Sequence, residues 1–206
     1  MRAGALLAVS AALALGTSAC GGSETLAPQP KAAAASKSPF QGNELHGPVT
    51  AADFALRDQH GRLVRLSDQR GKLVLVTFLY THCTDICPVI ANQLNQALRE
   101  LYHQQTSVRI LAVSVDPKGD TPRAVRKFVR NHHLLPEFHY LVGRPAQLAK
   151  VWQAYNVQVL QRNPESVGHS GYIYLLDRRG KPRIFYSATA TAEQVAHDLR
   201  VLLRSA

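Results

Sequence analysis

The chain has 206 residues, of which 46% are hydrophobic, so it is long enough for one sizeable domain with a packed core and an N-terminal extension. Its formal net charge of +10 comes from scattered basic residues, and the densest basic group alternates with apolar residues at helical spacing. This pattern favours a solvated helix face over a nucleic-acid-binding patch, and we expect no nucleic-acid partner. The residues of that group are Arg123, Arg126, Lys127 and Arg130.

The N-terminus has the pattern of a secretory signal. Arg2 is followed by an Ala/Leu-rich run over residues 5–15, too short for a stable transmembrane span, and by small residues up to residue 19. Small residues on both sides of Cys20 resemble a bacterial lipoprotein box, although residues 17–19 also suit ordinary signal cleavage. We favour residues 1–19 as a lipoprotein-type signal peptide with Cys20 lipidated, which leaves Cys83 and Cys87 as a pair.

A flexible tether is predicted for residues 20–45, because residues 24–39 are mainly Ala, Pro, Ser and Lys with almost no large apolar side chain. A folded domain is predicted over residues 46–206. Together, the signal and the tether place this domain on the outer, periplasmic face of a bacterial cytoplasmic membrane, anchored through the lipid on Cys20. Disulfides can form in that compartment.

The predicted elements of the domain alternate between strands and helices, and their order indicates a mixed sheet covered by helices. Apolar runs indicate the strands, and apolar spacing after a Pro or a capping box indicates the helices. We predict a β-hairpin over 54–58 and 63–66, strands over 73–79, 108–115, 138–142, 170–176 and 183–186, helices from about 88, 122, 145 and 192, and a polar loop over 161–167. Asp116 and Asp120 are expected to hold the turn before the second helix.

Two cysteines, Cys83 and Cys87, bracket the turn between the first buried strand and its helix. A thiol at a helix N-terminus loses its proton more easily, and its thiolate attacks disulfides or binds soft metals. Residues four apart on a helix have Cβ atoms roughly 5–6 Å apart, so a modest local adjustment of the backbone could close a disulfide. A metal could bridge the two sulfurs without that adjustment. A purely structural disulfide is disfavoured, because a loop this short gives little stability.

A metal site needs a third donor besides the two sulfurs, and His169 is the preferred candidate. It follows Gly168 and directly precedes the predicted strand from Ser170, a junction that faces the cysteine turn in a thioredoxin-like sheet. Two thiolates and one imidazole suit copper, as Cu(I), Cu(II) or both. The other histidines that we considered as donors are His82, His103, His132, His133 and His139.

Three linked motifs resemble the Sco/SenC family of copper chaperones, and the similarity runs from about residue 54 to the C-terminus. Residues 80–88, YTHCTDICP, resemble the family's YTxCxxxCP signature. Residues 114–122 resemble its SxDPxxDTP segment, and residues 168–180 its histidine-and-strand segment. The motifs occur in the family's order and spacing.

The resemblance implies a thioredoxin-like α/β fold, with a mixed central sheet flanked by helices and an N-terminal β-hairpin. It implies copper bound by Cys83, Cys87 and His169. The implied role is a metallochaperone that delivers copper to the CuA site of cytochrome c oxidase subunit II, or reduces the cysteines of that site. A thiol reductant protein would then be a second partner.

Two other functions use the same cysteines. A membrane-tethered thiol–disulfide oxidoreductase would use Cys83 and Cys87 as its redox pair, so the sequence leaves open whether the protein is an enzyme. A peroxiredoxin-type peroxidase is disfavoured, because Thr81 lies two residues before Cys83 where that family has Thr three before its cysteine.

Overall fold

The structure, a computed structural model, describes residues 38–47, 50–163 and 166–205. The predicted signal peptide, Cys20 and most of the predicted tether lie outside these residues. None of the helices within the described ranges combines the length and the apolar character needed to cross a membrane.

The described residues contain ten strands and four α-helices, with short 3-10 helices at Ser67–Gln69 and Tyr102–Ser107. The strands are β1 Asn43–Glu44, β2 Ala55–Arg57, β3 Leu63–Arg65, β4 Leu73–Leu79, β5 Val108–Ser114, β6 Phe138–Leu141, β7 Val159–Asn163, β8 Ser166–His169, β9 Ile173–Leu176 and β10 Pro182–Tyr186. The helices are α1 Ile86–Arg99, α2 Pro122–Asn131, α3 Pro145–Ala154 and α4 Ala192–Arg204.

Six strands form the central sheet in the order β1-β10-β9-β4-β5-β6. Strand β4 pairs in parallel with β5, and β5 with β6, whereas β9, β10 and β1 are antiparallel to their neighbours. All seven residues of β4 are buried, because its apolar run lies in the middle of a sheet covered on both faces. The predicted mixed sheet flanked by helices, with β2 and β3 as an N-terminal hairpin, is confirmed.

The region predicted as a polar loop over residues 161–167 is instead a second β-hairpin. Strands β7 and β8 pair antiparallel, with Leu160 opposite Gly168 and Val159 opposite His169. The next strand, predicted from Ser170, begins at Ile173. Backbone pairing in a two-stranded ribbon needs no buried face, so the hydrophobic alternation by which a strand is recognised in a sequence is missing here.

The folded part also begins earlier than the boundary predicted at residue 46. Strand β1 adds to the edge of the sheet, where Asn43 lies opposite Phe185. Before it, the backbone N–H groups of Gln41 and Gly42 donate to the two oxygens of Asp198, at 2.8 and 2.9 Å. These contacts join backbone to a carboxylate far along the chain, so the composition of residues 20–45 could not indicate them.

Substitution of Asp198 by Ala should lower the free energy of unfolding by about 3 kcal/mol, because the buried Tyr186 hydroxyl and two partly buried backbone N–H groups would lose their acceptor. The Asp198 side chain is fully buried and also accepts a hydrogen bond from the Tyr186 hydroxyl at 2.8 Å. Equilibrium urea unfolding measures the change. Asp68→Ala, at an exposed site, serves as the control and should stay within about 0.5 kcal/mol of the parent; equal effects of the two variants would contradict the prediction.

Candidate metal and thiol site

The cysteine turn joins the end of β4 to the start of α1. The helix begins at Ile86, two residues before the predicted start at Pro88, so Cys87 lies within its first turn. Pro88 is tolerated there because the first turn of a helix leaves its N–H groups without helical partners. Both cysteines are free thiols; Cys87 is fully buried and Cys83 is 8% exposed.

The two sulfurs have opposite protonation preferences. The Cys83 sulfur accepts hydrogen bonds from the Cys87 side chain, from the backbone N–H groups of Cys87 and Asp85, and from the Tyr80 side chain. Burial alone would raise the pKa of Cys83, but these hydrogen bonds have the larger effect and lower it to about 5. The Cys87 N–H lies 3.4 Å from that sulfur. The same Cys83 interaction and its own burial raise the pKa of Cys87. Cys83 is therefore the thiolate and Cys87 the thiol at neutral pH.

His169, at the end of β8, reaches the cysteine turn from 82 residues along the chain. Its Nε2 lies 3.5 Å from the Cys87 sulfur, and its Nδ1 lies 3.2 Å from the Ser170 carbonyl oxygen. Burial lowers the pKa of His169, so the ring is neutral. A neutral ring that donates from Nδ1 to the carbonyl presents the Nε2 lone pair to Cys87, the orientation that a metal ligand requires.

Tyr80 is a residue of this site that sequence analysis did not single out. Its ring meets the His169 ring edge-on, with centroids 5.8 Å apart, and its carbonyl oxygen accepts the Cys83 N–H at 3.4 Å. It is 8% exposed. Its place at the end of a buried strand, directly before the cysteine turn, was the available signal.

The other candidate histidines lie in different surroundings. His82 is exposed, and its Nδ1 lies 3.3 Å from the Thr81 hydroxyl. His132 contacts Asn92, and His139 lies 3.6 Å from Asp58. His103 is in the 3-10 helix after α1, and His133 is exposed beyond the end of α2. Of the six candidates, His169 is the one that the structure brings to a cysteine sulfur.

The side chains of Cys83, Cys87 and His169 are close together, but they are not arranged around a single point at which a metal could bind. In residues 38–47, 50–163 and 166–205, no group of three His, Cys, Asp or Glu side chains has the arrangement of a ready-made metal site. Cys87 and His169 are in contact, while the Cys83 sulfur faces the Cys87 backbone N–H. The structure therefore shows two cysteine sulfurs with an adjacent imidazole.

The buried carboxylate of Asp120 holds the start of the cysteine turn through a hydrogen bond to the backbone of Thr81. Asp120, 4% exposed, accepts the Thr81 backbone N–H at 2.7 Å, the Ser114 hydroxyl at 2.6 Å and the Tyr140 hydroxyl at 3.0 Å. Its burial raises its pKa, and these hydrogen bonds oppose that shift. Asp116 holds its own turn as expected, accepting from Lys118 and Gly119, whereas Asp120 points inward to the cysteine turn.

Comparison with known proteins identifies the family. The SCO1/SenC family model matches residues 43–204. The mitochondrial SCO2 homolog of Bos taurus is 35% identical over 159 residues, which cover 74% of this chain and 59% of that protein.

Solved structures of Sco proteins have the same fold. Bradyrhizobium japonicum ScoI with copper bound is 31% identical, with a TM-score of 0.67, and the match covers 75% of this chain and 99% of that one. The structure of BsSco, described as a member of the Sco family of cytochrome c oxidase assembly proteins, is 24% identical, with a TM-score of 0.65, over 77% of this chain and 96% of that one. Because the family model matches most of its length, this chain belongs to the SCO1/SenC family.

Proposed function

We propose that this protein binds copper through Cys83, Cys87 and His169 and is a copper chaperone in the assembly of cytochrome c oxidase. Its client is the CuA centre of subunit II. The protein delivers copper to that centre, or reduces its cysteines, from the periplasmic side of the membrane, where the lipid on Cys20 anchors it.

The contact between Cys87 and His169 carries this proposal. Bonds of about 2.3 Å to sulfur and about 2.0 Å to nitrogen, the lengths found in zinc sites, would meet at about 110° across the 3.5 Å between the two atoms. That angle is close to tetrahedral. The soft sulfurs and the imidazole match the ligands that copper prefers.

The Cys83 side chain would complete the site. Its sulfur lies 3.4 Å from the Cys87 backbone nitrogen, in the turn before α1, and the low pKa of Cys83 supplies a thiolate without an added base. The Cys83 sulfur already forms a hydrogen bond with the Cys87 side chain, so a metal bound to Cys87 and His169 would have the second sulfur beside it. Copper binding then displaces the Cys87 proton, because a metal-bound thiol is deprotonated.

The relatives support the same function. The B. japonicum ScoI structure, 31% identical to this chain, contains copper. BsSco is described as belonging to a family of cytochrome c oxidase assembly proteins, and this chain belongs to that family.

Anaerobic titration of the reduced full-length chain with Cu(I), in competition with a chromophoric chelator, tests the proposal. We expect about one tightly bound copper per chain, as a single site with two thiolates and one imidazole allows. The loaded protein should then transfer Cu(I) to the apo copper domain of subunit II. The absorption of CuA should appear when an added one-electron oxidant, ferricyanide, removes one electron from that centre, because two Cu(I) ions are colourless. The double variant Cys83→Ser, Cys87→Ser serves as the control and should neither retain nor transfer copper. Loss of all copper from the parent chain to the chelator would refute the proposal.

Thiol exchange with the client uses the same two sulfurs. The Cys83 thiolate would attack the client's disulfide and release one client thiolate, and Cys87 would then attack the mixed disulfide and release the second. This leaves a Cys83–Cys87 disulfide, which a thiol reductant protein must reduce. Disulfide reduction that survives His169→Ala, with no copper transfer by the parent protein, would favour the oxidoreductase over the chaperone.

A further inference from the structure

Asp120 places a buried negative charge beside the cysteine turn. Its side chain accepts hydrogen bonds from one backbone N–H group and two hydroxyls, and all three donors are neutral. Three donors aimed at the two oxygens suit the ionised carboxylate, which can only accept. Neutral donors stabilise this charge but do not cancel it.

The Asp120 carboxylate is linked to the cysteine turn by a hydrogen bond from the backbone of Thr81. Thr81, whose N–H binds Asp120, is two residues before Cys83. The Tyr140 hydroxyl donates to Asp120 at 3.0 Å, and the carboxylate raises the pKa of Tyr140, after the larger effect of burial. The carboxylate therefore acts as an anion on its surroundings.

We propose that Asp120 is a positioning residue whose buried charge makes the site favour Cu(II) relative to Cu(I). The inference rests on the proposed function and extends it to the oxidation state that the sequence leaves open. Two thiolates around Cu(I) carry a net charge of −1, whereas around Cu(II) they are neutral. A fixed negative charge nearby destabilises the anionic Cu(I) form more than the neutral Cu(II) form, most strongly where the dielectric constant is low.

Replacement of Asp120 by Asn distinguishes the effect of the negative charge from the effect of the hydrogen bonds that Asp120 accepts. The amide oxygen can still accept the Thr81 N–H. The amide NH₂ can donate to the hydroxyls of Ser114 and Tyr140, which can each turn to accept. The variant therefore removes one negative charge and keeps the three contacts that hold the turn.

The test measures the affinity of the reduced full-length chain for each copper ion separately, by anaerobic competition with chelators selective for Cu(I) and for Cu(II). We expect Asp120→Asn to lower the ratio of Cu(II) affinity to Cu(I) affinity by about tenfold or more, which corresponds to ~59 mV for one electron. The sulfur-to-Cu(II) charge-transfer absorption should be retained, because the ligands are unchanged. Equal changes in both affinities would overturn the inference, since they would show that Asp120 acts only on geometry.

Two further variants keep the test decisive. Asp198→Asn removes a buried carboxylate that faces the β1–β10 edge of the sheet, and it should leave the ratio unchanged. Ser114→Ala removes a donor but keeps the Asp120 charge, so the ratio should stay or move towards Cu(II). A Ser114→Ala shift in the same direction as Asp120→Asn would overturn the inference, and so would an unchanged ratio in a folded Asp120→Asn protein. Failure of the parent chain to bind either ion would instead refute the proposed function.

Discussion

His169→Ala should lower the affinity for copper by more than about 100-fold. Loss of a residue that only supports a metal ligand typically costs about 10–100-fold in affinity, and loss of a ligand should cost more. The physical reason is the geometry at Cys87, whose sulfur lies 3.5 Å from the imidazole Nε2. Without the ring, a metal at this position would retain only the two sulfurs of Cys83 and Cys87 as ligands from this site. Competition with a Cu(I) chelator under anaerobic conditions gives the affinities.

A matched histidine variant separates metal binding from general effects of the substitution. His132 is also partly buried, but it contacts Asn92 and the Phe128 ring, and we expect His132→Ala to bind copper as the parent does. Thiol reactivity should survive in His169→Ala, because the hydrogen bonds that lower the pKa of Cys83 come from Cys87, Asp85 and Tyr80. Unchanged tight binding in His169→Ala would remove this residue from the site.

Alkylation of the reduced protein should be strongly selective for Cys83 and should report a pKa of about 5. The pKa of Cys83 is lowered on folding, so its thiolate is present above about pH 5 and is lost as the pH falls through that value. Cys87 has a raised pKa and is fully buried, so it remains a protonated thiol. At about pH 6 we expect Cys83 to react on the order of 100 times faster than Cys87. Mass spectrometry of the alkylated peptides, after brief exposure to iodoacetamide across the pH range, measures both rates.

Cys87→Ala provides the control for this profile. The Cys87 side chain makes the largest contribution to the low pKa of Cys83, so its removal should move the midpoint of Cys83 alkylation to higher pH. Denatured protein should show both cysteines reacting with the profile of ordinary thiols. Preferential alkylation of Cys87 in the folded protein, or a Cys83 midpoint near that of the denatured chain, would contradict the assignment.

Local pattern was sufficient for most elements of the fold. The strand predicted over residues 73–79 is β4 with the same bounds, because a continuous apolar run flanked by turn residues has few other stable arrangements. Thr191 and Gln194 form the predicted capping box before α4, since capping depends on residues three apart. The β7–β8 hairpin was not predicted, because its pairing uses backbone groups that every residue type carries.

The residues and their spacing by themselves predicted a buried central strand, a cysteine pair that brackets the turn between this strand and a helix, and His169 as the preferred third donor. Only the tertiary structure decided that Tyr80 lies against His169, that Asp120 turns inward to hold Thr81, and that Asp198 secures the backbone of residues 41 and 42. Strand and helix signals are periodic and local, so a single segment contains them. Contacts between residues tens of positions apart form only when the sheet assembles. The sequence of one segment therefore does not indicate which distant residues it will contact.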